Sequence, residues 1–187
     1  MKLSIDDIVN DPRFLPYRGW HDAYLTEEEA RGKTGPAIQQ IRSEYCEFLE
    51  HMQKVPINDS CLQIGLGQPG ASHVCLSNFF ADTWSIEIDP TIARFHVERI
   101  AESKNIIVGS SFDFEMRRFF AARQFDLLFI DGDHRYAAVK MDFQNYFPLV
   151  RDGGIVAFHD TIAYSHYDEN IPSCTIRGRA AEILHYS

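Results

Sequence analysis

Side chains that can bind cations or transfer protons follow two apolar segments of this chain, 125–130 and 155–158. Two such segments joined by a helical pattern are typical of parallel strands, whose carboxyl ends lie at the same edge of a sheet. If the strands are neighbours, their backbones are about 5 Å apart, so we expect one site there. The residues concerned are Asp131, Asp133 and His134 after the first segment, and His159 and Asp160 after the second.

The same alternation of apolar runs and helical patterns extends back to residue 60. It predicts a parallel sheet with helices on both faces, the α/β class with a Rossmann-like arrangement. Strands are expected over 61–64, 83–88, 106–108, 125–130 and 155–158, and helices over 71–80, 90–103 and 112–123. Between the last two strands a crossover helix is expected, whose apolar face comprises Tyr136, Val139, Phe143 and Phe147.

The first 55 residues have a different pattern and are interpreted as a largely helical extension. Residues 1–25 suggest an extended arm with one short helix, and Thr26 has the sequence of a helix start. Pro36 then predicts the first turn of a long amphipathic helix that ends near Gln53. We therefore expect one domain over 1–187, with its cofactor-binding core over 60–160.

Composition narrows the classes of partner. The chain has 187 residues, 45% of them hydrophobic, and a net charge of −9 without a basic cluster, which argues against nucleic acid. No signal peptide and no membrane-spanning apolar run is evident, and the four cysteines show no C-x-x-C spacing. These features favour a cytoplasmic protein whose partner is a small molecule or another protein, and they leave a homodimer open.

A glycine-rich loop, Gly65-Leu-Gly67-Gln-Pro-Gly70, connects the first expected strand to its helix. Glycines allow tight turns close to a ligand, and a helix N-terminus offers amide donors, so the loop indicates a nucleotide-like ligand. Glu87 ends the second strand, where an acid accepts hydrogen bonds from ribose hydroxyls. The alternative for Glu87 is an ordinary charge before a helix, a role that suits Asp89 better.

The glycine loop and Glu87 alone are compatible with an NAD-dependent oxidoreductase or with a non-catalytic cofactor-binding protein. An oxidoreductase would account for the glycine loop and Glu87, but not for the acids after the later strands.

The ordered strings FIDGDHRY and PLVRDGGIVAFHDT, after a glycine loop, resemble the class I S-adenosylmethionine-dependent methyltransferases. The resemblance spans about residues 35–161 and is greatest to small-molecule O-methyltransferases and cephalosporin-hydroxylase-like members. It implies a seven-stranded sheet with one antiparallel strand, and transfer of a methyl group to a small-molecule hydroxyl. The implied cofactor-binding residues are Gly65, Gly67, Gly70, Ser72, Glu87, Ser110, Ser111 and Asp131.

Several positions depart from the family pattern. Gln63 replaces an acid before the first glycine, and Pro69 replaces a glycine. Gly109-Ser110-Ser111 replaces an acid near the adenine, and only a short segment follows Asp160, so the last strands are abbreviated or rearranged.

The resemblance also implies roles for the residues after the later strands. By position, Asp131, His159 and Asp160 correspond to the divalent-metal ligands of metal-dependent O-methyltransferases, with Mg²⁺ favoured by the carboxylates and Mn²⁺, Fe²⁺ or Zn²⁺ by the imidazole. Alternatively, the acids bind loop amides and no metal is present. His134 stands where those enzymes place a catalytic lysine and is the expected base, with His159 as an alternative, or no protein base.

Overall fold

The computed structural model describes residues 3–33, 35–55, 59–67, 70–99 and 105–160, and the backbone of 184–185. Its strands are β1 (Gly19–Trp20), β2 (Ala23–Tyr24), β3 (Ser60–Ile64), β4 (Asp82–Glu87), β5 (Ile106–Val108), β6 (Phe125–Ile130), β7 (Val150–Phe158) and β8 (Leu184–His185). Its α-helices are α1 (Ile5–Val9), α2 (Arg42–Lys54), α3 (Ala71–Phe79), α4 (Pro90–Arg99), α5 (Phe114–Phe120) and α6 (Tyr136–Tyr146).

The main sheet has six described strands in the order β5-β4-β3-β6-β7-β8. The first five of these are parallel, and β8 pairs antiparallel to β7. After β5, at one edge, the chain returns to the middle of the sheet and forms β6 beside β3. The order of the strands therefore reverses between β3 and β6, which is where ligands bind in open α/β sheets. The predicted α/β Rossmann-like fold is confirmed. The seventh strand implied by the resemblance is not among the described residues.

Alternating side chains of the central strands form two apolar clusters, one on each face of the sheet. Leu127 and Phe129 pack with α1, α2 and α3 on one face, whereas Leu128 and Ile130 pack with α5 and α6 on the other. Both β3 and β6 are buried along their whole length. Such strands read as continuous apolar runs, which is why the sequence pattern located β6 correctly.

The N-terminal segment differs from the prediction. The helix expected from Pro36 begins instead at Arg42. Two long-range contacts explain the difference: the Ile38 amide donates to the Gly19 carbonyl at 2.8 Å, and Asp22 accepts the Arg42 amide at 2.7 Å. Residues 35–41 are thus extended against the β1–β2 hairpin, and a side chain from another segment caps α2.

The Thr26 segment is also not helical. Thr26 and Glu29 exchange the hydrogen bonds of a capping box, but the residues that follow form turns rather than a helix. The predicted capping box of Thr26 and Glu29 is therefore present, but no helix follows it.

The crossover helix α6 packs on the sheet with most of the predicted face. Val139, Phe143 and Phe147 are partly buried against the core, whereas Tyr136 is 54% exposed. The most deeply buried residues, Ala138, Asp142 and Tyr146, are one position away from the predicted ones. A carboxylate at the centre of the buried face explains why the apolar periodicity did not include it.

None of the described helices is long and apolar enough to cross a bilayer.

Candidate active site

Backbone hydrogen bonds continue the sheet one residue beyond the ends of its central strands. The Asp131 amide donates to the Ile64 carbonyl at 2.8 Å, and the His159 amide donates to the Ile130 carbonyl at 3.0 Å. The Gly65 amide is held in the same way, by the carbonyl of β4. The glycine loop and the residues after β6 and β7 are therefore fixed at one edge of the sheet, as the sequence predicted.

The glycine loop needs glycine at its described turns. Gly65, Gly67 and Gly70 have φ values of 86°, 60° and 74°, in the left-handed region that other residues rarely adopt. A methyl group on Gly65 would overlap the carbonyl oxygen of Asp131, and one on Gly70 would overlap the ring of His96. The loop can take this close path only because these positions lack a side chain.

A buried polar network supports the loop from below. Gln63 is fully buried, and its Nε2 donates to the Gly65 carbonyl at 2.6 Å and to the Ser72 hydroxyl at 2.5 Å. The Ser85 hydroxyl donates to Gln63 Oε1 at 3.3 Å and lies 2.7 Å from Nδ1 of His73. An amide offers both donors and an acceptor to this network, which a carboxylate could not do. The departure at Gln63 thus has a structural role, and the hydroxyl of Ser72 belongs to the network.

Glu87 is buried at the end of β4, directly beside the glycine loop. Its Oε2 accepts the amides of Leu66 at 2.9 Å and Gly67 at 3.3 Å, and its Oε1 accepts the Asp89 amide at 2.8 Å. These three donors leave room for about one more on a carboxylate, which has about four lone-pair positions. Glu87 therefore organises the loop and can still accept a ligand hydroxyl, so the residues present fit a ribose.

The loop after β5 is hydrogen-bonded to helix α6. Ser111 accepts a hydrogen bond from the Tyr146 hydroxyl at 2.8 Å through its carbonyl, and the Ser110 hydroxyl accepts the Phe112 amide. Asp142 is buried nearby. Burial raises the pKa of Asp142 to about 6, against the opposing hydrogen bond from Ser111. Asp142 and Tyr146 of α6 therefore both contact Ser111 in this loop.

The acids and histidines after β6 and β7 form a compact cluster. Nδ1 of His159 lies 3.0 Å from Oδ1 of Asp131 and 3.2 Å from Oδ2 of Asp160, and these ion pairs enclose it. Nε2 of His134 lies 3.4 Å from the same oxygen of Asp160. Asp160 has a φ of 52°, which aspartate tolerates better than most residues. The predicted convergence of these four residues is therefore present.

The two carboxylates keep His159 protonated. Burial lowers the pKa of His159, but the hydrogen bonding and charge of Asp131, and then of Asp160, outweigh it and raise the pKa to about 10. His159 in turn lowers the pKa of Asp160, although burial opposes this. His159 thus supplies a positive charge between two acids that would otherwise repel each other.

A divalent cation fits a slightly different set of ligands from the predicted one. Ligand atoms of Asp131, His134 and Asp160 lie within 4.8 Å of one another, whereas Nδ1 of His159 faces the carboxylates as a cation. Two carboxylates and one imidazole can hold Mn²⁺ or Zn²⁺ better than Mg²⁺. Asp133, the remaining acid of this region, pairs with Arg135 and not with His134.

One residue of the site was missed by the sequence reasoning. Gln40, from the extended segment before α2, is 5% exposed and donates from Nε2 to Oδ2 of Asp131 at 3.3 Å. Nothing in its local sequence marks it, because the prediction placed it within a helix. Its position depends on the contact between Ile38 and the β1–β2 hairpin.

Comparison with known proteins gives a consistent result. Residues 62–161 match the model of a methyltransferase-domain family, Methyltransf_24. The structure of MycE, a methyltransferase of the mycinamycin biosynthetic pathway in complex with Mg, S-adenosylhomocysteine and mycinamycin VI, is similar to 62% of this chain with 25% identity and a TM-score of 0.50. The O-methyltransferase of Bacillus cereus, in complex with S-adenosylhomocysteine, aligns over 66% of this chain and 58% of its own with 16% identity and a TM-score of 0.52, which concerns the fold alone.

An uncharacterized protein of Acanthamoeba polyphaga mimivirus is 42% identical over 48 residues, or 26% of this chain and 22% of its own length. This chain spans about a third of MycE, since the match covers 33% of that protein.

Proposed function

The chain belongs to the Methyltransf_24 family of methyltransferase domains, and on that premise we propose that it transfers a methyl group from S-adenosylmethionine to a hydroxyl group of a small molecule. The observation that carries the proposal is the convergence of two groups of residues at one sheet edge. The glycine loop and Glu87 follow β3 and β4, on one side of the boundary between β3 and β6. The cluster of Asp131, His134, His159 and Asp160, called the Asp131–Asp160 cluster below, follows β6 and β7 on the other side.

The first group would hold the cofactor. Glu87 would accept a ribose hydroxyl, while the glycine loop would bring its backbone close to the ligand. Ser110 and Ser111, fixed by α6, would flank the adenine. When bound, S-adenosylmethionine supplies a methyl group on a positively charged sulfur. These residues orient that methyl group toward the second group, which is how an enzyme lowers the entropic cost of a two-substrate reaction.

The second group would prepare the acceptor hydroxyl. His134 is the better-placed base, since its side chain is 60% exposed and its Nε2 pairs with Asp160. His159 is enclosed between two carboxylates and is better placed to stabilise them than to receive a proton. The acceptor oxygen would form its bond to the methyl carbon as the carbon–sulfur bond breaks, and the hydroxyl proton would pass to His134.

A divalent cation is compatible with the same cluster. Held by Asp131, Asp160 and His134, it would lower the pKa of the acceptor hydroxyl, and His134 would then be a ligand rather than the base. The two roles of His134 are distinguished by a chelator. If a metal is required, EDTA abolishes turnover and Mn²⁺ restores it better than Mg²⁺. If His134 is the base, turnover is unchanged by EDTA.

A small, polar acceptor is favoured by the negative net charge and by the exposure of His134 and Asp160. The similar protein MycE is bound to a small molecule, mycinamycin VI. The oxidoreductase alternative is not favoured, because it gives no role to the Asp131–Asp160 cluster.

Calorimetry and an acceptor screen test the proposal. We expect S-adenosylhomocysteine to bind and NADH not to bind, and we expect a mass gain of one methyl group on a small-molecule hydroxyl. Binding of NADH without a response to S-adenosylhomocysteine would overturn the assignment to a methyltransferase. Labelling confined to RNA or protein would overturn the assignment of a small-molecule acceptor.

A further inference from the structure

Gln40 has one partnered and one unpartnered end. Its Nε2 donates to Asp131, while its Oε1 is buried without a hydrogen-bond partner among the described residues. The orientation of the amide follows from chemistry, because a carboxylate only accepts hydrogen bonds and must therefore face the NH₂ group. A buried carbonyl oxygen without a donor is unfavourable in a folded protein, so this oxygen requires an explanation.

The backbone around Gln40 is held firmly, so the unpartnered oxygen does not result from a loose segment. The Gln40 carbonyl accepts the His21 amide at 3.2 Å, and Ile38 pairs with Gly19. Trp20 bridges to the same segment and packs in the core. The hairpin therefore fixes Gln40 at the sheet edge, beside Asp131 and within the same site.

The surroundings favour a cationic donor. The NH₂ group of Gln40 donates to the Asp131 carboxylate, and this hydrogen bond polarises the amide, which makes Oε1 a stronger acceptor. Positively charged donors form the strongest hydrogen bonds to such an oxygen, and an ammonium group is one of them. S-Adenosylmethionine carries such a group on its amino-acid portion.

We infer that Gln40 is a cofactor-binding residue whose Oε1 accepts a hydrogen bond from the α-ammonium group of S-adenosylmethionine. This inference rests on the proposed function. The extended N-terminal segment is accordingly part of the cofactor site, and Asp131 fixes the amide in the orientation that presents its oxygen. A hydroxyl of the acceptor is the other donor that could reach this position, and the experiment separates the two.

The test compares two ligands on the full-length protein: S-adenosylhomocysteine and its deamino analogue, in which hydrogen replaces the α-ammonium group. A hydrogen bond to a charged group changes affinity by roughly 10- to 100-fold, so the wild type should prefer S-adenosylhomocysteine by about that factor. Gln40→Met should remove this preference by weakening S-adenosylhomocysteine alone. Gln40→Asn retains both ends of the amide on a shorter side chain and should keep more of the preference than Gln40→Met.

Gln53→Met is the matched control, because it makes the same change at an exposed position of α2. It should leave both affinities at their wild-type values. The inference is overturned if Gln40→Met weakens both ligands equally or neither, if Gln40→Asn keeps no more of the preference than Gln40→Met, or if the wild type does not distinguish the ligands. A donor from the acceptor would give that last result. If Gln40→Met does not fold, the preferences of the wild type and of Gln40→Asn are compared instead, and equal preferences would overturn the inference. Failure of the wild type to bind either ligand would instead refute the proposed function.

Discussion

Strand β6 carries an aspartate near each end, and the two are treated very differently by the fold. Asp126, near the amino end, is fully buried, and its Oδ2 accepts the amides of Asp59 at 2.7 Å and Ser60 at 2.9 Å. Its Oδ1 lies 2.6 Å from Nε of Arg151. Asp131, just beyond the carboxyl end, shares a histidine with a second carboxylate, Asp160.

The difference separates an acid whose contacts stabilise the fold from one that belongs to the proposed active site. Both oxygens of Asp126 face groups of the protein itself, since Oδ2 accepts two amides and Oδ1 forms an ion pair with Arg151 that lacks hydrogen-bond geometry. Around Asp131 two carboxylates are crowded together and a buried amide oxygen of Gln40 has no described donor. Crowded carboxylates and buried polar atoms without a partner are typical of ligand-binding sites.

The largest effect is expected at the carboxyl edge, on catalysis. Asp160→Asn should lower turnover by about 10³-fold, within the range for loss of acid–base assistance. Asparagine tolerates the left-handed backbone at this position, so folding should be preserved. Turnover of the screened acceptor and calorimetry with S-adenosylhomocysteine would measure both properties. Wild-type turnover, or loss of cofactor affinity instead, would contradict a role in preparing the acceptor.

At the amino edge the expected effect is on stability. Asp126→Ala leaves two amides and the Arg151 guanidinium without their acceptor, and should lower the free energy of unfolding by about 3 kcal/mol. Urea denaturation measures this change. Asp152→Ala, at an exposed neighbouring position, is the control and should have little effect. A variant at Asp126 that is as stable as the wild type would remove the distinction between the two ends.

A smaller, pH-dependent effect is expected from Asp142 beneath the loop after β5. Burial raises its pKa from the ordinary value of 3.8 to about 6, so its contribution to stability is fully present below about pH 4 and is lost as the pH rises through about 6. The stability of the wild type relative to Asp142→Asn should therefore fall across this window. Denaturation series at several pH values test the trend, and parallel curves for the two proteins would contradict it.

The smallest effect is expected at Asp133, which lies close to the site but pairs with Arg135 at the surface. Asp133→Asn should change turnover by no more than about twofold, as is usual for exposed ion pairs. The same assay as for Asp160 provides the measurement. A loss comparable to that of Asp160→Asn would show that the functional cluster is wider than the four residues at the strand ends.

The strands of the main sheet and the glycine loop could be predicted from the sequence, because each has a recognisable local sequence pattern. β6 is buried on both faces and appears as an apolar run interrupted only by Asp126, and parallel strands necessarily bring Asp131 and His159 to one edge. The glycine loop was recognisable for the same reason: its left-handed turns require glycine at Gly65 and Gly70.

Long-range contacts set the limit of that prediction. The segment before α2 has helical periodicity, yet its amides pair with the β1–β2 hairpin, and this alone brings Gln40 to Asp131. The distinct environments of His134 and His159 likewise depend on which carboxylate oxygens face each ring. No spacing along the chain encodes these orientations.

The close approach of Gly65 to Asp131 has a consequence for how this domain can change over time. Because any side chain on Gly65 would overlap the Asp131 carbonyl, a substitution in the glycine loop displaces the residues after β6, and the two segments can change only together. New acceptor preferences must therefore arise elsewhere, at exposed positions such as His21 between β1 and β2, which is near enough to Asp160 to affect its pKa. A laboratory search for new acceptors should vary His21 and keep Gly19, Trp20 and the junction between β3 and β6 intact.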